Sequence, residues 1–243
     1  MNTHINGEQG SVSRHSRRNF IENGLKITVV SGVLGIGLLP GCKDKEKDED
    51  EISPPEDLMR EHGILNRVLL VYDHFLQMLA SNEQINPQFL TDSASIIRNF
   101  IEEYHEKQEE DFLFPRFEKA HQLTDLVAVL KTQHQQGRII TDQILLLGKQ
   151  PQLASASDQQ KLNSLLTSFI HMYRPHEARE DTVLFPALRG IVSKHEFDSL
   201  GEDFEKREHQ LFGEGGFEIF VEKVAKVEQQ LGIYDLAQFT PKL

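Results

Sequence analysis

Six residues in this chain have the types and spacing for metal chemistry: His62, His105, Glu109, His134, His176 and Glu180. A histidine and a glutamate four apart, as in His105/Glu109 and His176/Glu180, share one helix face with Cβ atoms about 6 Å from each other. Both side chains can therefore converge on one centre. All six fall inside helical stripes that are otherwise apolar. Burying an ionised carboxylate alone is prohibitively costly, and even a neutral polar group left unpaired costs on the order of 2 kcal/mol. No Arg or Lys recurs at matching stripe positions in the two halves of the chain. A metal cation would supply the missing charge and accept imidazole nitrogens at the same time.

The donor set narrows the metal. Imidazole with carboxylate and no thiolate suits iron, copper, nickel or zinc, and disfavours calcium and magnesium, which prefer oxygen shells. Four imidazoles and two carboxylates are too many for one tetrahedral zinc. They divide into two metals, each with two histidines, bridged by both glutamates. Iron pairs in helix bundles are one solution to such a geometry, although the ferritin-like version uses Glu-x-x-His and more carboxylates. Tyr173 lies three residues before His176 and Glu102 three before His105, so both are expected to hydrogen-bond around the site rather than ligate. His74 and His171 lie off the ligand faces, and His195 and His209 belong to a helix beyond the bundle.

Helices must carry these residues, and the stripes say where. The first runs through Leu58, His62, Leu65, Leu69, Tyr72 and Leu76 and ends near Ser81-Asn82. The second opens at Asn86-Pro87, a cap followed by proline in the first turn, and carries Ile97, Ile101, His105, Glu109 and Phe112 toward Pro115. A third starts near Thr124, with Val127, Leu130, His134, Thr141 and Ile144. The fourth is expected to open at the capping box Ser157-Asp158-Gln159-Gln160 and continues through Leu162, Leu166, Phe169, Tyr173, His176, Glu180 and Leu184. No alternating strand pattern competes. Short links between long helices imply antiparallel neighbours, hence an all-α, up-down-up-down four-helix bundle over residues 56–192. Pro115, Pro175 and Pro186 are expected to kink or end helices. Ser193-Lys194-His195-Glu196 opens a fifth helix, and residues 217–232 form an amphipathic sixth, making a C-terminal helical extension over 193–243.

The block is written twice. His105-Glu106-Lys107-Gln108-Glu109-Glu110-Asp111-Phe112-Leu113-Phe114-Pro115 matches His176-Glu177-Ala178-Arg179-Glu180-Asp181-Thr182-Val183-Leu184-Phe185-Pro186 at six of eleven positions, with Glu110/Asp181 a conservative pair. His62 precedes His105 by 43 residues and His134 precedes His176 by 42. Each half is a helical hairpin, and the repeat predicts a pseudo-twofold arrangement of its polar residues.

The order single His, His-x-x-x-Glu, single His, His-x-x-x-Glu, with Leu-Phe-Pro after each pair, resembles the hemerythrin cation-binding family over residues 56–192. The resemblance implies a left-handed up-down bundle with two non-haem iron ions, oxo- or hydroxo-bridged. It implies His62, His105, Glu109, His134, His176 and Glu180 as ligands, with Glu109 and Glu180 as bridges. The sequence departs from the family's oxygen carriers at two places. Arg138 stands where they have a second histidine one turn after the third-helix ligand, and Glu180 lies four rather than five residues after His176. One iron then loses a nitrogen ligand, and reversible oxygen carriage is less expected than iron binding itself. The function implied is binding, sensing or scavenging dioxygen or a related small ligand. Alternatives are an oxidoreductase acting on peroxide or nitric oxide, an iron storage or delivery protein, and a zinc-holding structural module.

Bulk properties and the N-terminus set the context. A formal charge of −12 argues against nucleic acid as a partner. With one cysteine, intramolecular disulfides and zinc-thiolate sites are excluded. Arg14, Arg17, Arg18 and Lys26 precede a short apolar run over 27–39. As helix that run spans about 20 Å, against a bilayer core of roughly 30 Å, so it reads as an export signal. Ser16-Arg17-Arg18-Asn19-Phe20-Ile21 resembles a twin-arginine signal. Leu39-Pro40-Gly41-Cys42 resembles a bacterial lipobox, with Cys42 as the lipidated residue. Residues 1–42 are thus expected to be removed or anchored at an extracytoplasmic membrane face, and the charged stretch 43–55 to be a disordered tether. No protein partner can be named from the sequence.

Overall fold

Ser53 starts the first helix of the bundle. Its N–H and hydroxyl both donate to Glu56 Oε2, at 3.1 and 2.8 Å, and Pro54 fills the first helical position, where a missing N–H is harmless. Helix α1 (Pro54–Ala80) therefore begins inside the stretch expected to be tether. The computed structural model describes residues 52–149 and 155–241. The export signal, the lipobox with Cys42 and tether residues 43–51 lie outside them.

Helix α2 covers 87–120 and opens where Asn86 accepts the Gln88 N–H at 2.9 Å. It runs unbroken through a π-helical stretch (Ile97–His105), one α-turn (Glu106–Gln108), a second π-turn (Glu109–Leu113) and a last α-segment (Phe114–Ala120). Helix α3 is Thr124–Gly148. Helix α4 covers 156–191 and repeats the device: Ala156–Arg179, a π-turn at Glu180–Leu184, then Phe185–Ile191. Its cap is Ser155, which accepts the Asp158 N–H, and not the expected Ser157.

Of the two outcomes expected for the prolines, kinking or ending a helix, the second does not occur. A proline inside a helix has no N–H to give and clashes with the carbonyl four residues back. The turn before each one widens instead. Phe114 N–H reaches Glu109 O and Phe185 N–H reaches Glu180 O, five residues back, so the chain enters Pro115 and Pro186 at the start of a fresh α-segment. Pro175 likewise sits within α4 without ending it. Single π-turns of this kind are frequent at functional sites.

Helices α1 and α3 each pack against both α2 and α4, which closes a ring of four neighbours. With short links between consecutive members, this is the up-down-up-down all-α bundle, and no strand occurs among the described residues. The core forms two apolar clusters. The larger contains Leu65, Leu69, Tyr72, Phe75, Phe100, Ile144, Phe169 and Tyr173. The smaller contains Leu58, Phe114, Phe117, Leu130, Leu184, Phe185 and Leu188. Along every bundle helix the metal-type residues lie between the two.

The C-terminal extension completes both clusters. Helix α5 (Lys194–Phe212) adds Phe197, Leu200 and Phe204 to the smaller one. Helix α6 (Gly216–Leu231) lies against α1 and the start of α2 and adds Phe220, Val224 and Val227 to the larger. Gly213 and Gly215, at φ of 74° and 76°, make the turn between them, in a region only glycine enters freely. Each apolar side chain so buried contributes roughly 1.5–3 kcal/mol. No helix among the described residues is long and apolar enough to cross a membrane.

Candidate metal centre

All six sequence-derived residues meet in the middle of the bundle, and each is at least 96% buried. They form two overlapping groups, His62/His105/Glu109/Glu180 and His134/His176/Glu109/Glu180. Within each group one nitrogen or oxygen per residue lies within 4.8 Å of the others. The glutamates belong to both. Glu109 turns Oε1 toward His105 Nε2 (3.8 Å) and Oε2 toward His134 Nε2 (3.4 Å). Glu180 turns Oε2 toward His62 Nε2 (3.4 Å) and Oε1 toward His176 Nε2 (3.1 Å). Each carboxylate thus gives one oxygen to each histidine pair, which is how a carboxylate bridges two cations.

Every imidazole is aimed by its other nitrogen. His62 Nδ1 lies 2.8 Å from Asp181 Oδ1, and His105 Nδ1 lies 2.8 Å from Glu61 Oε2. His134 Nδ1 is 3.1 Å from Glu110 Oε1, and His176 Nδ1 is 2.9 Å from Gln133 Oε1. A ring that donates Nδ1–H to an oxygen presents its Nε2 lone pair inward, the tautomer a metal needs. The Leu-Phe-Pro motifs brace the same rings. Phe185 stacks on His62 and Phe114 on His134, each at 5.5 Å between centroids.

The electrostatics show how poorly the protein alone serves this cluster. Burial, and then the neighbouring Glu180, hold the Glu109 carboxyl well above its usual range. For Glu180 burial works the same way, but His176 and His62 outweigh it and keep that carboxyl well below. Burial opposes charge on His62 too, yet Asp181 and Glu180 hold its ring up at about 10. Burial, and then the charge on His62, push His105 well below its usual value, and burial brings His134 down to about 4. Neither oxygen of Glu109 or Glu180, nor His62 Nε2, has a hydrogen-bond partner. Buried polar atoms of that kind are rarely left so, and ring nitrogens and carboxylate oxygens converging from six neighbouring side chains suit cations of the imidazole-plus-carboxylate class. The residues fit a pair of transition-metal ions.

The two expected supporting residues stand nearby with other partners. Tyr173 is buried beside His176, rings 5.4 Å apart, but its hydroxyl donates to Glu106 Oε1 at 2.7 Å. Glu102 is fully buried and pairs with Arg98 at 2.9 Å rather than with a ligand-type histidine. Arg138 reaches Glu106 Oε2 at 2.7 Å and Glu110 Oε1 at 2.8 Å. Of the histidines set aside, His171, His195 and His209 are exposed and His74 is half-buried.

Sequence reasoning missed Glu61, Glu106, Glu110, Gln133 and Asp181 as supports. The repeat contained a signal for four of them. Glu61 and Gln133 each precede the lone histidine of their hairpin, and Glu110 and Asp181 each follow the bridging glutamate. Asp181 is also the residue five after His176. It lies behind His62, while Glu180 takes the centre.

Comparison with known proteins points to a cation-binding family. The family model described as the hemerythrin HHE cation binding domain matches residues 53–188. Uncharacterized proteins of Mycobacterium bovis and Mycobacterium tuberculosis are each 49% identical to the chain over 198 residues, covering 80% of it and 76% of their own length. No solved structure is significantly similar.

Proposed function

This chain belongs to the hemerythrin HHE cation-binding family, and from that premise we propose that it holds two non-haem iron ions and uses them to bind, sense or scavenge dioxygen or a related small ligand. One observation carries the reading: Glu109 and Glu180 each turn one oxygen to each of two histidine pairs. Bound there, the irons would supply redox-active positions for a small ligand. The protein's own part is to hold that site rigid and dry. Asp181, Glu61, Glu110 and Gln133 fix the four rings, and the stacked Phe114 and Phe185 keep water from the His134 and His62 faces.

A second reading, an oxidoreductase acting on peroxide or nitric oxide, is favoured by Arg138. Its guanidinium is engaged with Glu106 and Glu110, and a cation cannot ligate a metal. The His134/His176 side therefore has one nitrogen donor fewer than a third-helix histidine would give it. We place this chemistry outside the cytoplasm, on a lipid anchor at Cys42 behind the twin-arginine-like Ser16-Arg17-Arg18-Asn19-Phe20-Ile21. The support for that location is the sequence pattern.

The test is anaerobic loading with ferrous iron, metal counting, and absorption spectra before and after oxygen. Two irons per chain are expected, with a visible band that appears on oxidation and is absent in His105→Ala. Reversal under vacuum separates carriage from turnover, and consumption of peroxide or nitric oxide supports the second reading. Loading well beyond two irons would point to storage, and a chain that takes zinc and develops no band would overturn the proposal.

A further inference from the structure

The two histidine pairs share their bridging glutamates equally but are backed unequally by their outer partners. Pseudo-twofold symmetry makes the comparison direct. The residue before each lone histidine (Glu61 or Gln133) takes the Nδ1 of the other histidine in the same hairpin. The residue after each bridging glutamate (Glu110 or Asp181) takes the Nδ1 of the lone histidine in the opposite hairpin. Three of the four partners are carboxylates. The fourth is the neutral amide of Gln133.

Neighbouring charge widens the difference. Glu110, behind His134, also binds Lys107 at 2.5 Å and Arg138 at 2.8 Å, a guanidinium it shares with Glu106 at 2.7 Å, so its charge is divided between the ring and two cations. Behind the other pair, Glu61 is 2% exposed and receives the Gln108 amide on both oxygens, at 3.1 and 3.3 Å. The ion pairs found for Glu61 and Asp181 among the described residues are to His105 and His62 themselves. The His62/His105 pair thus has two carboxyl groups behind it, of which burial holds Glu61 up at about 8, and no lysine or arginine bound to either among the described residues. The His134/His176 pair has one carboxylate, already paired with two cations, and an amide. A carboxylate behind an imidazole raises its basicity and draws the metal in, whereas a guanidinium nearby repels a cation more strongly the drier the site.

We propose that the two metal positions are inequivalent, the His62/His105 position binding more tightly and filling first, with Gln133 and Arg138 the positioning residues that loosen the other. The inference rests on the dinuclear reading above and adds an order of loading to it.

Titration of the metal-free full chain with cobalt(II), followed by calorimetry and by the cobalt d–d absorption, tests it. Two resolved steps are expected, the first at least about tenfold tighter, since losing one outer partner costs about 10- to 100-fold in metal affinity. Gln133→Glu should tighten the second step and draw the two together, a gain that misfolding cannot imitate. Glu61→Gln should weaken the first. His105→Ala should abolish the tight step and His176→Ala the weak one. Two equal steps in the unaltered chain, or a gap that neither Gln133→Glu nor Glu61→Gln changes, would overturn the inference while leaving the dinuclear reading intact. An unaltered chain that binds no cobalt would overturn the dinuclear reading and the loading order with it.

Discussion

Replacing Glu109 by glutamine should have opposite effects on the metal-free and the metal-loaded protein. Both Glu109 oxygens are buried without a hydrogen-bond partner, and burial together with Glu180 raises its carboxyl well above the usual carboxylate range. A group whose pKa rises on folding contributes no penalty below its unfolded value and a growing one as pH climbs past it. In metal-free protein Glu109 therefore destabilises the fold from about pH 4.5 upward. Glutamine keeps the shape, has no charge to bury, and can donate to a neighbouring imidazole. Removing an uncompensated buried group is worth about 1–3 kcal/mol, and each kcal/mol shifts the midpoint by roughly 2–4 °C in a domain of this size. Metal-free Glu109→Gln should thus melt a few degrees higher at pH 7 and lose that advantage toward pH 4. The loaded protein behaves the other way, because an amide is a poor bridge. A metal at 100 times its dissociation constant stabilises by about 2.7 kcal/mol, and the variant should forfeit most of that at both positions. Thermal unfolding with chelator and with excess ferrous iron, at pH 4 and pH 7, measures all four quantities. A metal-free variant less stable than the unaltered chain at pH 7, or a loaded variant stabilised as much, would refute the reasoning.

Three further outcomes follow from particular contacts. Asp181→Asn removes the carboxylate behind His62 and should weaken metal binding about 10- to 100-fold, read by competition with a chelator. Phe185→Ala empties a fully buried position stacked on His62 and should cost about 3–5 kcal/mol in urea unfolding. At Gly137 an added Cβ would lie 2.0 Å from the Tyr173 hydroxyl oxygen. Gly137→Ala should therefore push that ring off Glu106 and cost about 1–3 kcal/mol, while a change within 0.5 kcal/mol in either direction would show that Tyr173 is free to move.

The bundle and its central six residues were legible because periodicity and repetition report the same thing twice. A ligand-type histidine on an apolar stripe has to face inward, and its copy in the second hairpin repeats the statement. The supports behind the rings were harder to see. Glu61 and Gln133 act on a different helix from their own, and Glu110 and Asp181 reach across to the opposite hairpin. Spacing along one helix does not encode a contact made by another. Glu61 and Glu110 also read as ordinary helix-surface acids until packing brings a histidine to each. The π-turns were illegible for a related reason. Pro115 and Pro186 look like stop signals, and only the apolar cluster formed by Leu113, Phe114, Leu184, Phe185 and Leu188 makes it favourable to widen one turn and continue. The start of α4 was misread by two residues because Ser155 and Ser157 are equally good caps, and the structure uses the first.

X-ray absorption at the iron edge of the loaded chain is the most direct test of a dinuclear centre. The account predicts a shell of nitrogen and oxygen around each iron, no sulfur, and a second iron within about 4 Å. Irons that show no metal neighbour at that distance would contradict it.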